Sequence, residues 1–224
     1  MKAIVFGATG MVGQCVVRVC LESPEVTELL LVGRSSARLS HPKVRELLQA
    51  DLFDWSKSES QLKGYDGCFF CLGVSSVGMS EADYTRISYD LTMAAAKALV
   101  KLNPGMTFCY VSGANTDSTE KGKSMWARVK GKTENALIAA GFKGAYMFRP
   151  GLIRPMYGVK SRTAAYRAFY ATLGWTFPIW KALAPSFVTT GENIGRAMIR
   201  CVTTGYAKQL LENDDINALG AART

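Results

Sequence analysis

The sequence predicts an α/β fold, a doubly wound parallel sheet, and three observations carry that prediction. An apolar run at residues 3–6 leads directly into Gly7, Gly10 and Gly13, after which Met11, Val12, Val16, Val17 and Leu21 recur at helical spacing. Further short apolar runs then alternate with helical segments along most of the chain, the pattern of βαβ units. Several of these runs end in small-residue loops, such as residues 73–78 and 112–115, and open α/β sheets hold ligands at the carboxyl ends of their strands. A chain of 224 residues suffices for one such domain, over 1–224, and is short for two.

The elements follow in order. Residues 28–32 (Leu29-Leu30-Leu31-Val32 at the centre) form a second strand, and 44–50 carry a short third one ending at Asp51-Leu52. A short helix is expected over 55–62. Residues 68–72 are continuously apolar and form a fourth, buried strand. Ser80, with Asp83 three residues on, resembles a capping box with a shortened acid and opens a helix reaching about Leu102. Its stretch from Met93 to Ala98 favours helix, and Asn103-Pro104-Gly105 stops it. A fifth strand is expected over 106–111, a helix over 124–140 and a sixth strand over 145–148. Residues 191–203 form a helix with Ile194, Ala197, Met198 and Cys201 on one face. A seventh strand is expected over 208–212 and a short helix over 214–219.

Residues 156–190 change character, as Tyr166, Phe169, Tyr170, Trp175, Phe177, Trp180 and Phe187 crowd together among Arg162, Arg167 and Lys181. The segment reads as a small helical region serving as a substrate lid, as a subunit or protein-partner interface centred on 166–180, as a membrane-surface segment, or as helices packed on the sheet. The absence of one clean amphipathic helix weakens the membrane reading.

The opening turn carries the first chemistry. Strand, glycine turn and helix form the context of a dinucleotide fingerprint. One glycine permits the turn, one admits the pyrophosphate and one lets helix and strand approach, while the helix start offers N–H groups and the positive end of its dipole. The second strand ends at Gly33-Arg34-Ser35. A carboxylate there selects NAD by its bond to a ribose hydroxyl, and an arginine accommodates a 2′-phosphate and selects NADP. Arg34 and Ser35, with Ser36 and Arg38 behind them, point to NADP(H), with NAD(H) as the alternative.

Composition narrows the remaining classes. The net charge is +9, but no motif interleaving basic and aromatic residues appears. The charge is read as a solvated surface that attracts anionic ligands, with no nucleic-acid partner. No apolar stretch reaches membrane-span length, and the start lacks the pattern of a signal peptide. The six cysteines fall mostly inside expected strands and helices, as reduced thiols do, and the expected location is cytoplasmic. Cys68 and Cys71 lie three apart in an apolar strand without a second pair, and His41 is the sole histidine, so no metal site is expected.

These residues resemble the atypical short-chain dehydrogenase/reductases, small NAD(P)-binding Rossmann proteins, over nearly the whole chain. Gly7, Gly10 and Gly13 match the glycine motif, with Phe6 where many members carry threonine. Within the group the chain is most similar to the TIP30-like (HIV Tat-interactive protein 2-like) oxidoreductases, through Cys71-Leu72-Gly73 and Val129-Lys130-Gly131. The resemblance implies cofactor contacts from Gly7, Thr9, Gly10, Met11, Val12, Gly13, Arg34 and Ser35. It adds Asp51 and Leu52 facing adenine, Leu72 and Gly73 lining the cofactor, Lys130 on the nicotinamide ribose, and Arg149 and Pro150 bordering nicotinamide and substrate.

The resemblance also implies a catalytic serine, tyrosine and lysine. Ser112 and Lys130 stand at the first and last positions, but Trp126 occupies the tyrosine position four residues before Lys130. Residues four apart share a helix face, so the spacing suits one bound cofactor. The indole N–H, however, is a donor that does not titrate in the accessible range, so the usual proton relay cannot run through residue 126. Water or another phenol, from Tyr84 or Tyr157, is left to supply the proton. The expected function is hydride transfer to or from a carbonyl or alcohol of an unidentified small molecule. The alternative is an NADP(H)-binding redox sensor or assembly protein without turnover.

Overall fold

The computed structural model describes residues 1–154, 156 and 185–221. A seven-stranded parallel sheet lies between two layers of helices, a Rossmann-like α/β fold. The strands are β1 (Lys2–Phe6), β2 (Glu28–Gly33), β3 (Val44–Leu48), β4 (Gly67–Phe70), β5 (Thr107–Val111), β6 (Gly144–Phe148) and β9 (Leu210–Leu211), in the order β3-β2-β1-β4-β5-β6-β9. The chain order reverses at β1, whose two neighbours are β2 and β4. The crevice above this switch point is where such sheets bind ligands.

Strand alternation assigns the two layers. Ala3 and Val5 point to one face and Ile4 and Phe6 to the other, all four fully buried. The first face packs on α1 (Met11–Glu22), α5 (Gly191–Thr203) and α6 (Asn213–Ala221) through Val16, Cys20, Ile194, Met198 and Ile216. Close approach of α1 to α5 requires small residues: a Cβ on Gly191 would lie 2.6 Å from the Cys15 side chain. The second face packs on α3 (Leu91–Leu102) and α4 (Met125–Ile138) through Leu91, Ala95, Leu99 and Leu137, with the Phe70 ring stacked on those of Phe6 and Phe108.

The helix expected from Ser80 to Leu102 has three parts: α2 (Glu81–Thr85), a π segment (Arg86–Asp90) and α3. Its start matches the expectation, since Ser80 Oγ accepts the Asp83 amide and donates to the Asp83 carboxylate. The helix expected over 55–62 shrinks to a 3-10 turn, Glu59–Gln61. Local side chains take its backbone groups instead: Asp54 accepts the Ser56 amide, and Gln49 donates to the carbonyls of Asp51 and Asp54. Trp55 and Leu62 are nonetheless buried against the sheet. A second, two-stranded parallel sheet, β7 (Leu152–Arg154) with β8 (Val188–Thr190), was not foreseen; three-residue strands leave too little pattern to detect. Tyr157 and the aromatic residues from Tyr166 to Trp180 lie outside the described residues.

Candidate functional site

The glycine turn is shaped by close backbone approach. Gly7 has φ +79°, and a Cβ there would lie 2.7 Å from the Leu72 nitrogen, so the loops after β1 and β4 touch across the switch point. Gly10 N–H donates to the Gly7 carbonyl at 2.9 Å. A Cβ on Gly13 would lie 2.1 Å from that same carbonyl oxygen, so only glycine lets α1 start so close to β1. No side chain caps α1 at Gly10, and no acidic residue stands in its first turn. The helix start therefore presents amides and a positive dipole end to an anion.

A cleft of about 950 Å³ opens over this turn. Among the sequence-derived cofactor residues it brings together Gly7, Thr9, Gly10, Arg34, Ser35, Asp51, Leu52, Leu72 and Gly73; Met11, Val12, Gly13, Lys130, Arg149 and Pro150 are not on its wall. A neighbouring pocket of about 590 Å³ is lined by Thr9, Gln14, Ser35, Ser36, Ala37 and Arg38. Exposed Arg34 and Arg38 thus flank Ser35 from adjoining hollows. Glu46 of β3 fixes this loop by accepting the Ala37 amide at 2.7 Å, and Asp51 accepts the Phe53 amide at 2.8 Å. The sequence reading missed Arg86 and Ile87, which the π segment turns onto the wall, and Phe53, whose ring lies 5.5 Å from the Arg86 guanidinium. No sequence periodicity marks a π segment in advance. The cradle suits a dinucleotide: glycines stand wherever a side chain would fill the approach to the turn.

The second half of the site stands at the ends of β5 and β6. Ser112 N–H donates to the Phe148 carbonyl at 2.8 Å and Ala114 N–H to the Pro150 carbonyl at 2.9 Å, tying the two strand ends together. Helix α4 aligns Trp126, Lys130 and Glu134 at four-residue steps along one stripe. The Trp126 ring comes within 3.8 Å of the position a Gly113 Cβ would take. Lys130 Nζ donates to the Val111 carbonyl at 3.2 Å and sits 5.2 Å from the centre of the Tyr110 ring. Burial lowers its pKa to about 8, against the opposing pull of Glu134. Glu134 is fully buried. Ser112 Oγ lies 2.5 Å from Glu134 Oε1 and 3.0 Å from the Phe148 carbonyl. Arg149 is committed to the same carboxylate and reaches on to Glu212 and Ser118. Glu134 is a further residue that the sequence reading missed. Its charged side chain at a helix position otherwise facing the core, four residues after Lys130, was the available signal.

Tyr84 is 2% exposed. All six cysteines are free and five are buried, with burial pushing up the thiols of Cys15, Cys20, Cys68, Cys71 and Cys109. Among the described residues, no group of three His, Cys, Asp or Glu is placed to hold a metal, and no helix is long and apolar enough to cross a membrane.

No protein-family model matches the chain. Protein FMP52-2, mitochondrial, of Scheffersomyces stipitis is 30% identical over 154 residues, covering 67% of this chain and 66% of that protein. The chain thus spans just under two thirds of that relative's length. Protein fmp52, mitochondrial, of Emericella nidulans is 26% identical over 200 residues, 86% of this chain and 83% of that protein. The chain is thus similar to FMP52 proteins over most of its length. The names of these FMP52 relatives carry the word mitochondrial, which overturns the cytoplasmic expectation. Buried reduced thiols report on packing as much as on compartment, so the cysteines could not decide it.

Solved structures share the fold. An oxidoreductase of the short-chain dehydrogenase/reductase family from Burkholderia thailandensis superposes with TM-score 0.69 at 15% identity, covering 96% of this chain and 92% of that one. The Bordetella bronchiseptica enzyme WbmF, in complex with NAD+, superposes with TM-score 0.68 at 17% identity, covering 98% and 76%.

Proposed function

We propose that this chain is an NADP(H)-dependent oxidoreductase acting on a carbonyl or alcohol of a small molecule, and that it works in mitochondria as its FMP52 relatives are named to do. The observation that carries the reading is the glycine cradle at the switch point, continuous with a cleft whose far wall holds Arg34. In this reading the turn from Gly7 to Gly13, with the amides of Met11 and Val12, holds the pyrophosphate. Arg34 and Ser35 hold the 2′-phosphate, with Arg38 beyond them. Asp51 and Leu52 border the adenine, Leu72 and Gly73 line the middle of the cofactor, and Lys130 reaches the nicotinamide ribose. Pro150 follows Arg149 at the substrate end. The bound dinucleotide supplies a hydride, and the chain supplies position, charge and a proton.

The second reading, a dinucleotide-binding sensor or assembly protein without turnover, is favoured by Trp126 alone. NADPH fluorescence titration followed by reduction assays on a carbonyl panel separates the two. Binding with turnover supports the oxidoreductase. Binding without turnover in the natural chain, and with turnover in Trp126→Tyr, supports the sensor. No association with NADPH or NADH at millimolar concentration rejects both.

A further inference from the structure

We propose that Lys130 Nζ itself hands the proton to the substrate oxygen, replacing a side chain at position 126 that cannot do so. The inference rests on the oxidoreductase reading and deepens it. It follows from counting transferable protons at the ends of β5 and β6. Trp126 offers an N–H that does not dissociate in the working range. Ser112 has one hydroxyl proton, and its acceptors, Glu134 Oε1 and the Phe148 carbonyl, are both internal. Toward a ligand Ser112 therefore presents lone pairs, which can accept from an alcohol hydroxyl but give a carbonyl oxygen no proton. Tyr110 and Tyr84 are 1% and 2% exposed, and burial drives the Tyr110 phenol far above its ordinary range. Tyr89 lies against Lys132, off the Trp126–Lys130–Glu134 stripe.

Lys130 remains. Its ammonium has three N–H groups, and the Val111 carbonyl engages one of them. That carbonyl can hold the nitrogen in place whether it is charged or neutral, because a neutral amine still donates. Glu134 favours the charged form from the same helix, while the Tyr110 ring and the surrounding packing face the group from β5. Arg149 and Glu212 lie behind Glu134 and bind each other, so Glu134 is shared between two cations. The resulting pKa of about 8 suits proton exchange near neutrality. In the reducing direction the carbonyl carbon gains a hydride from the reduced dinucleotide, which is thereby oxidised. The carbonyl oxygen gains the proton as the Nζ–H bond breaks, and the neutral amine recovers a proton from water.

The test has one arm without turnover. Trace acetylation of the full-length protein with acetic anhydride across about pH 6 to 11, quantified by peptide mapping, reads the titration of each lysine. Lys130 is expected to titrate near pH 8, well below the roughly 10.4 of an unperturbed lysine. In the second arm, NADPH-dependent reduction of 9,10-phenanthrenequinone and 4-nitrobenzaldehyde is expected to fall above that same midpoint. Lys130→Arg, which keeps a charged donor for the ribose, is expected to bind NADPH within a fewfold of the natural chain, Lys130→Met to bind it more weakly, and both to lose about 100-fold or more in turnover at saturating NADPH. Titration of Lys130 at the roughly 10.4 of an unperturbed lysine overturns the proposal, as does wild-type turnover in both variants. NADPH binding with no turnover of either probe by the natural chain overturns it and leaves the dinucleotide site standing. Failure to bind NADPH or NADH overturns the oxidoreductase reading as well.

Discussion

Arg149 closes a fork on the fully buried carboxylate of Glu134, its Nε lying 3.1 and 3.2 Å from the two oxygens and its Nη2 2.5 Å from Oε2. The pair joins α4 to the end of β6, and Ser112 leans on it from the end of β5. Three elements of the site therefore share one carboxylate.

Removing one partner strands the other. Glu134→Ala should cost about 3 kcal/mol in urea unfolding, because the buried guanidinium of Arg149 is left with only the half-exposed Glu212 as its anion. Glu134→Leu combined with Arg149→Met should recover most of that loss, since an apolar pair of similar volume carries no desolvation cost. A double variant no more stable than Glu134→Ala would show that the pair contributes more than charge compensation.

Gly13 and Gly73 are both expected from the sequence to contact a cofactor, yet their surroundings differ. A Cβ at Gly13 would meet backbone at 2.1 Å, whereas one at Gly73 meets nothing within 4 Å. Gly13→Ala should destabilise the fold by about 1–3 kcal/mol and weaken NADPH binding, and Gly73→Ala should stay within about 0.5 kcal/mol of the natural chain. Thermal unfolding with and without NADPH checks both.

Arg34 sets the cofactor preference in the proposed function. Its guanidinium gains a charge-assisted bond to a 2′-phosphate worth about 1.5–3 kcal/mol, and an aspartate there would repel that phosphate and accept a ribose hydroxyl. Arg34→Asp should lower NADPH affinity by about tenfold to a hundredfold and raise NADH affinity, as read by calorimetry. An unchanged ratio would transfer the role to Arg38, whose pocket adjoins Ser35 from the other side.

The sheet was legible because its strands are short apolar runs with glycine or small residues at their ends, and because buried parallel strands carry no competing pattern. Residues 3–6, 28–32 and 145–148 needed no tertiary information. The cleft's glycine wall was legible for the same reason, since only close approach explains that spacing. What escaped depends on contacts between distant segments. Glu134 becomes intelligible only when β6 delivers Arg149 to it, and Arg86 reaches the cleft only because the helix widens by one residue per turn at that point. The 55–62 segment misled because Asp54 and Gln49 bind backbone that a helix would have used.

Lys130 also links the site to stability through pH. Its folded-state pKa of about 8 lies below the roughly 10.4 of an unfolded lysine, so between these values the unfolded chain binds more protons and stability rises with pH. Below about pH 8 both states carry the ammonium, and the folded state bears the full cost of holding it in a partly dry site. Above about pH 10.4 neither state carries it and the cost is gone. Lys130→Met should therefore raise the thermal midpoint relative to the natural chain at about pH 7, and the gain should shrink steadily toward about pH 10. Glu134 does not cancel the effect, because Arg149 continues to neutralise it in the variant. A midpoint difference that stays constant across this range would mean that Lys130 keeps its ordinary pKa in the folded chain, and its ammonium would then serve only to hold an anionic ligand.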